Sequence, residues 1–189
     1  METYDLVIVG AGLAGLSAAF HAAKNYPSLH IAVVSKVHPL RSHTVEASGA
    51  INVAFTHLAK EDSWEKHAFD TVKGSDYLAD QDAVEMLCRL APEAVLELIN
   101  LGALFLRRED RLLWSDVGPL GGASAARAYT PAVNTARLFM RPLYEHLLGF
   151  SNVTFLNEYR LLRLVVENNR LSGLILIEQK SGQIHGIKC

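Results

Sequence analysis

DLVIVGAGLAGLSAAFHAAK, residues 5–24, decides how the rest of the chain is read. A polar start, four apolar residues and a glycine (residues 5–10) suit a strand buried on both faces of a parallel sheet. Residues 13–24 are rich in Ala and Leu and read as a helix. After the break at Pro27 and Ser28, HIAVVS (residues 30–35) reads as a second buried strand, so the chain opens with a β-α-β unit. Strand and helix are joined by GAGLAG: Gly10, Ala11, Gly12, Leu13, Ala14 and Gly15.

This hexapeptide fits G-x-G-x-x-G in the strand-to-helix setting that the pattern requires. Gly10 permits the tight turn, Gly12 lets the backbone approach a pyrophosphate, and Gly15 allows close packing of helix on strand. The helix N-terminus adds amide donors and a positive dipole. A dinucleotide site is the expectation. Its usual companion is an acidic residue at the end of the second strand, where it would hold the adenosine ribose. Here that strand ends in Ser35 and Lys36, which argues against a simple NAD site; Lys36 would suit a 2′-phosphate, so NADP stays open at this position.

Composition bounds the classes that remain. The chain has 189 residues, half of them hydrophobic, enough to bury a core of ordinary domain size. With 18 basic and 20 acidic residues mixed along it and a net charge of -2, it offers no broad basic field, and nucleic acid is not an expected partner. The most apolar region, residues 84–106, is broken by Glu85, Arg89, Pro92, Glu93 and Glu97, so no transmembrane segment is expected. The first strand follows Met1 so closely that no signal or transit peptide is expected. Cys88 and Cys189 suggest neither a disulfide framework nor a zinc site; Cys88 reads as a small core residue on a helix.

Further along, residues 36–60 have mixed character and residues 63–72 read as a helix with Trp64, Ala68, Phe69 and Val72 on one face. Asp80, Gln81 and Asp82 precede a helical run, residues 83–90, and Pro92 opens another that Gly102 ends. Residues 103–114 (ALFLRREDRLLW) suggest two short strands around a charged turn, before a loop crowded with Gly and Ala at residues 118–126. Residues 135–148 are helical in pattern, with a kink or restart expected at Pro142. The tail, from VTFL to the end, reads as an antiparallel meander with turns at Asn168-Asn169 and Ser181-Gly182. The expected organisation is a β-α-β dinucleotide fold over residues 1–60, a helical segment over 61–102, hairpin, loop and helix over 103–150, and a meander over 151–189.

One polar stretch is left to explain: RSHTVEASGAIN, residues 41–52. With its neighbours in SKVHPLRSHTVEASGAIN, and with DTVKGSDYLADQDAVEMLCRLAPEAVLELINLGALFLRRED, it resembles the flavoprotein subunit of succinate dehydrogenases and fumarate reductases. The likeness runs from about residue 5 to 110 and more loosely to the end. It implies an α/β fold: a Rossmann-like FAD-binding domain with an appended antiparallel β-meander, incomplete relative to the family. In that family the loop matching residues 41–44 carries a histidine bonded covalently to FAD at the flavin 8α carbon, the place that His43 occupies. Such a bond makes the flavin a stronger oxidant, as removal of hydrogen from the unactivated C–C bond of succinate demands.

The same resemblance makes residues 10–15, Ser35, Lys36, Arg41, Ser42, His43, Thr44, Ala47, Ser48 and Gly49 the FAD site. Ser42 and Thr44 would hydrogen-bond the cofactor, while Ala47, Ser48 and Gly49 leave room for a flat ring. The implied activity is succinate–fumarate interconversion, with electrons passed to an iron–sulfur subunit beside membrane anchor subunits, peripheral on the cytoplasmic side. The sequence departs from the family at Ala50, where a second glycine is usual. It departs again at Asn134, Thr135, Ala136 and Arg137 and at Arg141-Pro142, where the family has Thr-Gly-His and His-Thr. Family members are much longer, and their substrate-clamping residues and capping domain have no counterpart here, so no catalytic residue is assigned. Two alternatives stand: an L-aspartate oxidase-like or soluble fumarate reductase-like protein with non-covalent FAD, and a truncated, non-catalytic nucleotide-binding fragment. Asp70, Lys73, Asp76, Asp80 and Asp82 read as caps and a solvated face, Trp64, Phe69, Phe139 and Tyr144 as core, and His21, His57, His67 and His146 as ordinary histidines. Arg127 could reach a carboxylate or phosphate.

Overall fold

The structure, a computed structural model, describes residues 1–56, 61–106, 119–130 and 136–189. In chain order the elements are β1 (Leu6–Val9), α1 (Leu13–Asn25), β2 (Ile31–Ser35), the one-turn α2 (His43–Glu46), β3 (Ile51–Asn52), α3 (Trp64–Gly74), α4 (Gln81–Asn100) and β4 (Ala128–Tyr129). There follow α5 (Arg137–Leu148), β5 (Val153–Asn157), β6 (Tyr159–Glu167), β7 (Arg170–Glu178) and β8 (Ile184–Lys188). A 3-10 turn, Pro39–Arg41, precedes α2. Two compact units result: Met1–Ala47 with Phe139–Cys189, and Ser48–Leu138.

The first unit holds a parallel sheet in the order β1-β2-β5. Its central strand is buried at all five positions, which is why IAVVS has no polar alternation. Helix α1 buries Leu16, Ala19, Phe20 and Ala23, one stripe at helical spacing. Antiparallel β6-β7-β8 forms a second sheet, and its Leu174, Leu176 and Ile187 pack with Tyr4, Ala32 and Val34 in one core cluster. The β6–β7 hairpin turns through Asn168 and Asn169 at φ 50° and 61°, the left-handed conformation that Asn tolerates and a two-residue hairpin needs. Gly182, at φ 73°, sits in the turn before β8.

The second unit is built on α3 and α4, with β3 paired antiparallel to β4. Ser63 caps α3 by accepting from the Lys66 amide at 3.3 Å, and Asp80 caps α4 by accepting from the Ala83 amide at 3.1 Å. Cys88 is fully buried on α4, as a small core residue.

Several expectations are corrected. VTFL belongs to β5 of the parallel sheet, so the meander starts at Tyr159; five mixed apolar residues carry no mark of which sheet they join. The two helices expected around Pro92 are one, α4, whose buried Val84, Cys88 and Val95 continue past the proline. Helix α5 likewise runs through Pro142, with Phe139, Met140, Leu143 and Leu147 buried on either side of it: packing of that face outweighs the lost amide bond. On α3 the buried residue is His67, whereas Phe69 is 60% exposed. The hairpin expected over residues 103–114 falls largely on residues 107–114, outside the described ones; of the rest, Phe105 is buried and the Leu106 amide bonds the Thr130 carbonyl at 3.1 Å. His57, Asn134 and Thr135 also lie outside the described residues.

Candidate functional site

The glycine turn has the sterics that its pattern requires. Gly10 sits at φ +112°, a conformation that side chains oppose, and its amide bonds the Val34 carbonyl at 2.8 Å. A Cβ on Gly15 would stand 1.8 Å from the Gly10 carbonyl oxygen, so the helix can approach the turn only without one. A Cβ on Gly12 would meet Thr44 Oγ1 at 3.2 Å. Helix α1 has no side-chain cap at Gly12 and no acidic residue in its first turn, which leaves the positive end of the helix open to an anion. Ala11 is buried beneath the turn; Leu13 is half-buried and Ala14 exposed.

Residues 41–47 form a folded segment rather than the open loop that their composition suggests. The 3-10 turn closes through the Arg41 amide to the His38 carbonyl (2.8 Å) and the Ser42 amide to the Pro39 carbonyl (3.1 Å). α2 then starts at His43, with Val45 buried and the Ala47 amide bonded to the His43 carbonyl at 3.1 Å. Thr44 Oγ1 accepts from the Leu13 amide at 3.3 Å, which ties this segment to the glycine turn. Ser42 Oγ is buried without a hydrogen-bond partner. His43 and Arg41 are exposed, and among the described residues no hydrogen bond holds the His43 imidazole. Ser48 and Gly49 open the second unit, with Gly49 at φ +146° and nothing within 4 Å of its absent Cβ.

At the end of β2, Ser35 is buried and Lys36 exposed, its carbonyl accepting from Gln179 Nε2. In register with Ser35 stands Asn157, whose Oδ1 is buried and unpartnered. Sequence reasoning missed this residue. The sheet places it beside the strand end where an acidic residue is usual, and its amide oxygen offers the acceptor that Ser35 and Lys36 do not supply in carboxylate form. Recognising VTFLN as a parallel strand would have found it.

The second unit has a different polar centre. Arg127 is buried and donates from Nη2 and Nε to Asp62 at 2.6 and 3.0 Å, and from Nη1 to Asp70 at 2.6 Å. Asp70 also accepts from the Ser124 amide at 2.7 Å and its hydroxyl at 2.8 Å. Asp70 therefore clamps residues 124 and 127 instead of lying on a solvated face. Burial works to raise its pKa, but the bonds from Ser124 and Arg127 outweigh burial and hold it below the usual carboxylate value. His67 is buried with Nδ1 unpartnered; burial first, then the Arg127 charge, lowers its pKa against the opposing pull of Asp62 and Asp70. Arg127 does reach carboxylates, but they are the protein's own. Among the described residues no group of three His, Cys, Asp or Glu could hold a metal ion, and no helix is long and apolar enough to cross a membrane.

A helix end with no cap from Gly12 and no acidic residue in its first turn, the close glycine contact and the orphaned Ser42 and Asn157 oxygens together fit a dinucleotide. The FAD binding domain family matches residues 5–188. This chain belongs to that family. FAD is accordingly its cofactor. The chain is 38% identical over 190 residues to the succinate dehydrogenase flavoprotein subunit of Rickettsia bellii, covering 96% of this chain and 31% of that protein. It is 38% identical over 184 residues to the fumarate reductase flavoprotein subunit of Mycobacterium tuberculosis, covering 97% and 31%. Among solved structures, E. coli quinol fumarate reductase superposes with a TM-score of 0.90 at 34% identity, over 100% of this chain and 32% of that one. A flavocytochrome c3 fumarate reductase, 24% identical, shares the fold with a TM-score of 0.81. The chain thus spans about a third of the length of the relatives it matches.

Proposed function

We propose that this chain is the FAD-holding part of an oxidoreductase that interconverts succinate and fumarate, with FAD attached covalently to His43. In this reading electrons pass to an iron–sulfur partner subunit, and membrane anchor subunits hold the assembly peripherally at a membrane. The observation that carries it is the RSHT segment. His43 is exposed and uncommitted at the start of α2, between Ser42 with a buried, unpartnered Oγ and Thr44 bonded to the glycine turn.

When bound, FAD supplies a ring that accepts a hydride from succinate or gives one to fumarate. The chain's residues supply position. The N-terminal end of α1 and the backbone at Gly12 would receive the pyrophosphate, with Gly10 making the turn and Gly15 letting the helix pack against it. Ser42 Oγ and Asn157 Oδ1 orient polar atoms of the cofactor. His43 presents an imidazole nitrogen as nucleophile. His43 would hold FAD through that nitrogen, and the flavin would supply the two-electron chemistry.

The test is acid precipitation of the expressed chain, followed by an absorption spectrum and intact mass, with His43→Ser alongside. Flavin that survives precipitation in the parent and is missing from the variant is the expected result. Flavin released by acid from both would favour an aspartate oxidase-like protein with non-covalent FAD, and a colourless chain of unmodified mass would overturn the reading.

A further inference from the structure

The segment that carries His43 is held at two points, and only the second, Thr44, belongs to the expected cofactor set. The first is His38, just before the 3-10 turn. Its Nδ1 accepts from the Leu40 amide at 3.2 Å. A backbone amide can only donate, so Nδ1 is the bare nitrogen and Nε2 carries the hydrogen. Nε2 lies 3.3 Å from Tyr144 Oη, which makes His38 the donor and the phenol oxygen the acceptor. The Tyr144 ring meets His38 edge-on at 5.3 Å and Phe155 of β5 at 5.2 Å. Tyr144 stands on α5, next to Leu143 and three residues before Leu147, both buried.

From His38 an unbroken run of short-range bonds leads to the reactive position: the Arg41 amide to His38, the Ser42 amide to Pro39, and the Val45 amide to Ser42 at 3.0 Å. His43 takes part only through its carbonyl, which accepts from the Ala47 amide, and among the described residues no hydrogen bond holds its imidazole, so the ring is placed by the backbone of this run. We infer that His38 and Tyr144 are a positioning pair, which fixes the start of the segment on α5 and β5 and so sets where His43 meets the flavin. This rests on the covalent reading above. Attachment requires the nitrogen within near-contact distance of one carbon, and small displacements are costly for such a step. The pair therefore acts on the rate of attachment and not on how tightly FAD is held.

Tyr144→Phe separates this role from simple ring packing, because it keeps both edge contacts and removes only the acceptor. His38→Asn keeps an acceptor for the Leu40 amide but cannot reach Tyr144. Two readouts are taken on the whole chain: hydrogen exchange at the Leu40 and Val45 amides without added cofactor, and the rate of covalent flavin uptake with added FAD beside its non-covalent dissociation constant. Tyr144→Phe is expected to raise exchange at both amides and to slow attachment, each by about fivefold to tenfold, the loss of one hydrogen bond. The dissociation constant should stay within about twofold. His38→Asn should slow attachment as much, and the double variant no more than either single one, the mark of one shared interaction.

Unchanged exchange at Leu40 and Val45 in Tyr144→Phe, or additive effects in the double variant, would overturn the pair. If the parent chain takes up no covalent flavin, the function proposed above fails instead, and amide exchange alone decides whether His38 and Tyr144 hold the segment.

Discussion

The polar centre of the second unit and the nucleotide site of the first differ in how their charged and polar groups are completed. In the second, Arg127 sits at 1% side-chain exposure with Asp62 at 0%, and its guanidinium is spent on Asp62, Asp70 and Ser124. In the first, Ser42 Oγ and Asn157 Oδ1 are buried with no partner, and in the first turn of α1 Thr44 Oγ1 meets only the Leu13 amide. Buried polar atoms are nearly always paired, so groups left open beside a glycine turn mark a place that something else can complete. A satisfied cluster marks architecture. Arg127, the most chemically suggestive buried side chain, is therefore the structural one, while Ser42 and Asn157 are the residues that the function proposed above would put to use.

The strongest way to break this contrast is Arg127→Leu. It strands the buried Asp62 carboxylate, and the expected loss is about 3–5 kcal/mol in urea unfolding. Asp62→Leu added to Arg127→Leu should recover part of it, since replacing both charges removes the stranded one. A loss under about 1 kcal/mol would mean that the cluster is not architecture.

Next in size is Gly15→Ala, where the new methyl would meet the Gly10 carbonyl at 1.8 Å. It should cost about 1–3 kcal/mol in stability and abolish flavin retention, followed by absorbance after gel filtration.

Acid sharpens the comparison in the second unit. The folded pKa of His67 is depressed, so the stability tied to its neutral form is complete above its ordinary value of about 6.5 and is lost as pH falls from there toward the folded value. Asp70, also depressed, adds a second loss below about pH 4. Urea midpoints at pH 7 and 5.5 should differ in the parent and converge in His67→Gln; an equal difference in both would remove His67 as the source.

Smallest in stability are Ser42→Ala and Asn157→Leu. Each should leave unfolding within about 0.5 kcal/mol of the parent while weakening FAD binding about tenfold, read by flavin fluorescence titration. Destabilisation by either, with FAD affinity intact, would reverse their assignment.

What the sequence discloses follows the range of the interactions. The β-α-β turn was legible because its constraints lie within a few residues: the Gly15 methyl-to-carbonyl clash and the Gly10 backbone angle need no distant partner. The β6–β7 turn at Asn168-Asn169 was legible for the same reason. β5 was not, since VTFLN pairs with β2 across residues 36–152 and its composition suits either sheet. The Asp62–Arg127 pair was equally hidden, 65 positions apart and without a local pattern. α3 misled because Phe69 looks like core, whereas the buried side of the helix carries His67, with Asp70 one turn on bonded to Arg127. Of the site, residues 10–15 and 41–44 could be named in advance, but the folded turn through His43 and the open Asn157 oxygen depend on tertiary pairing.

The pairing of β2 with β5 also sets a timetable. At a synthesis rate of about 5–20 residues per second, the chain between these strands takes on the order of ten seconds to emerge. For that interval one edge of a strand made of Ile31, Ala32, Val33, Val34 and Ser35 has no native partner, while the whole Ser48–Leu138 unit is made and can fold. An unpaired apolar strand edge is a template for pairing with other chains. The nascent chain is thus exposed to misassembly while residues 36–152 are being made, and any delay before Val153 is added lengthens that exposure.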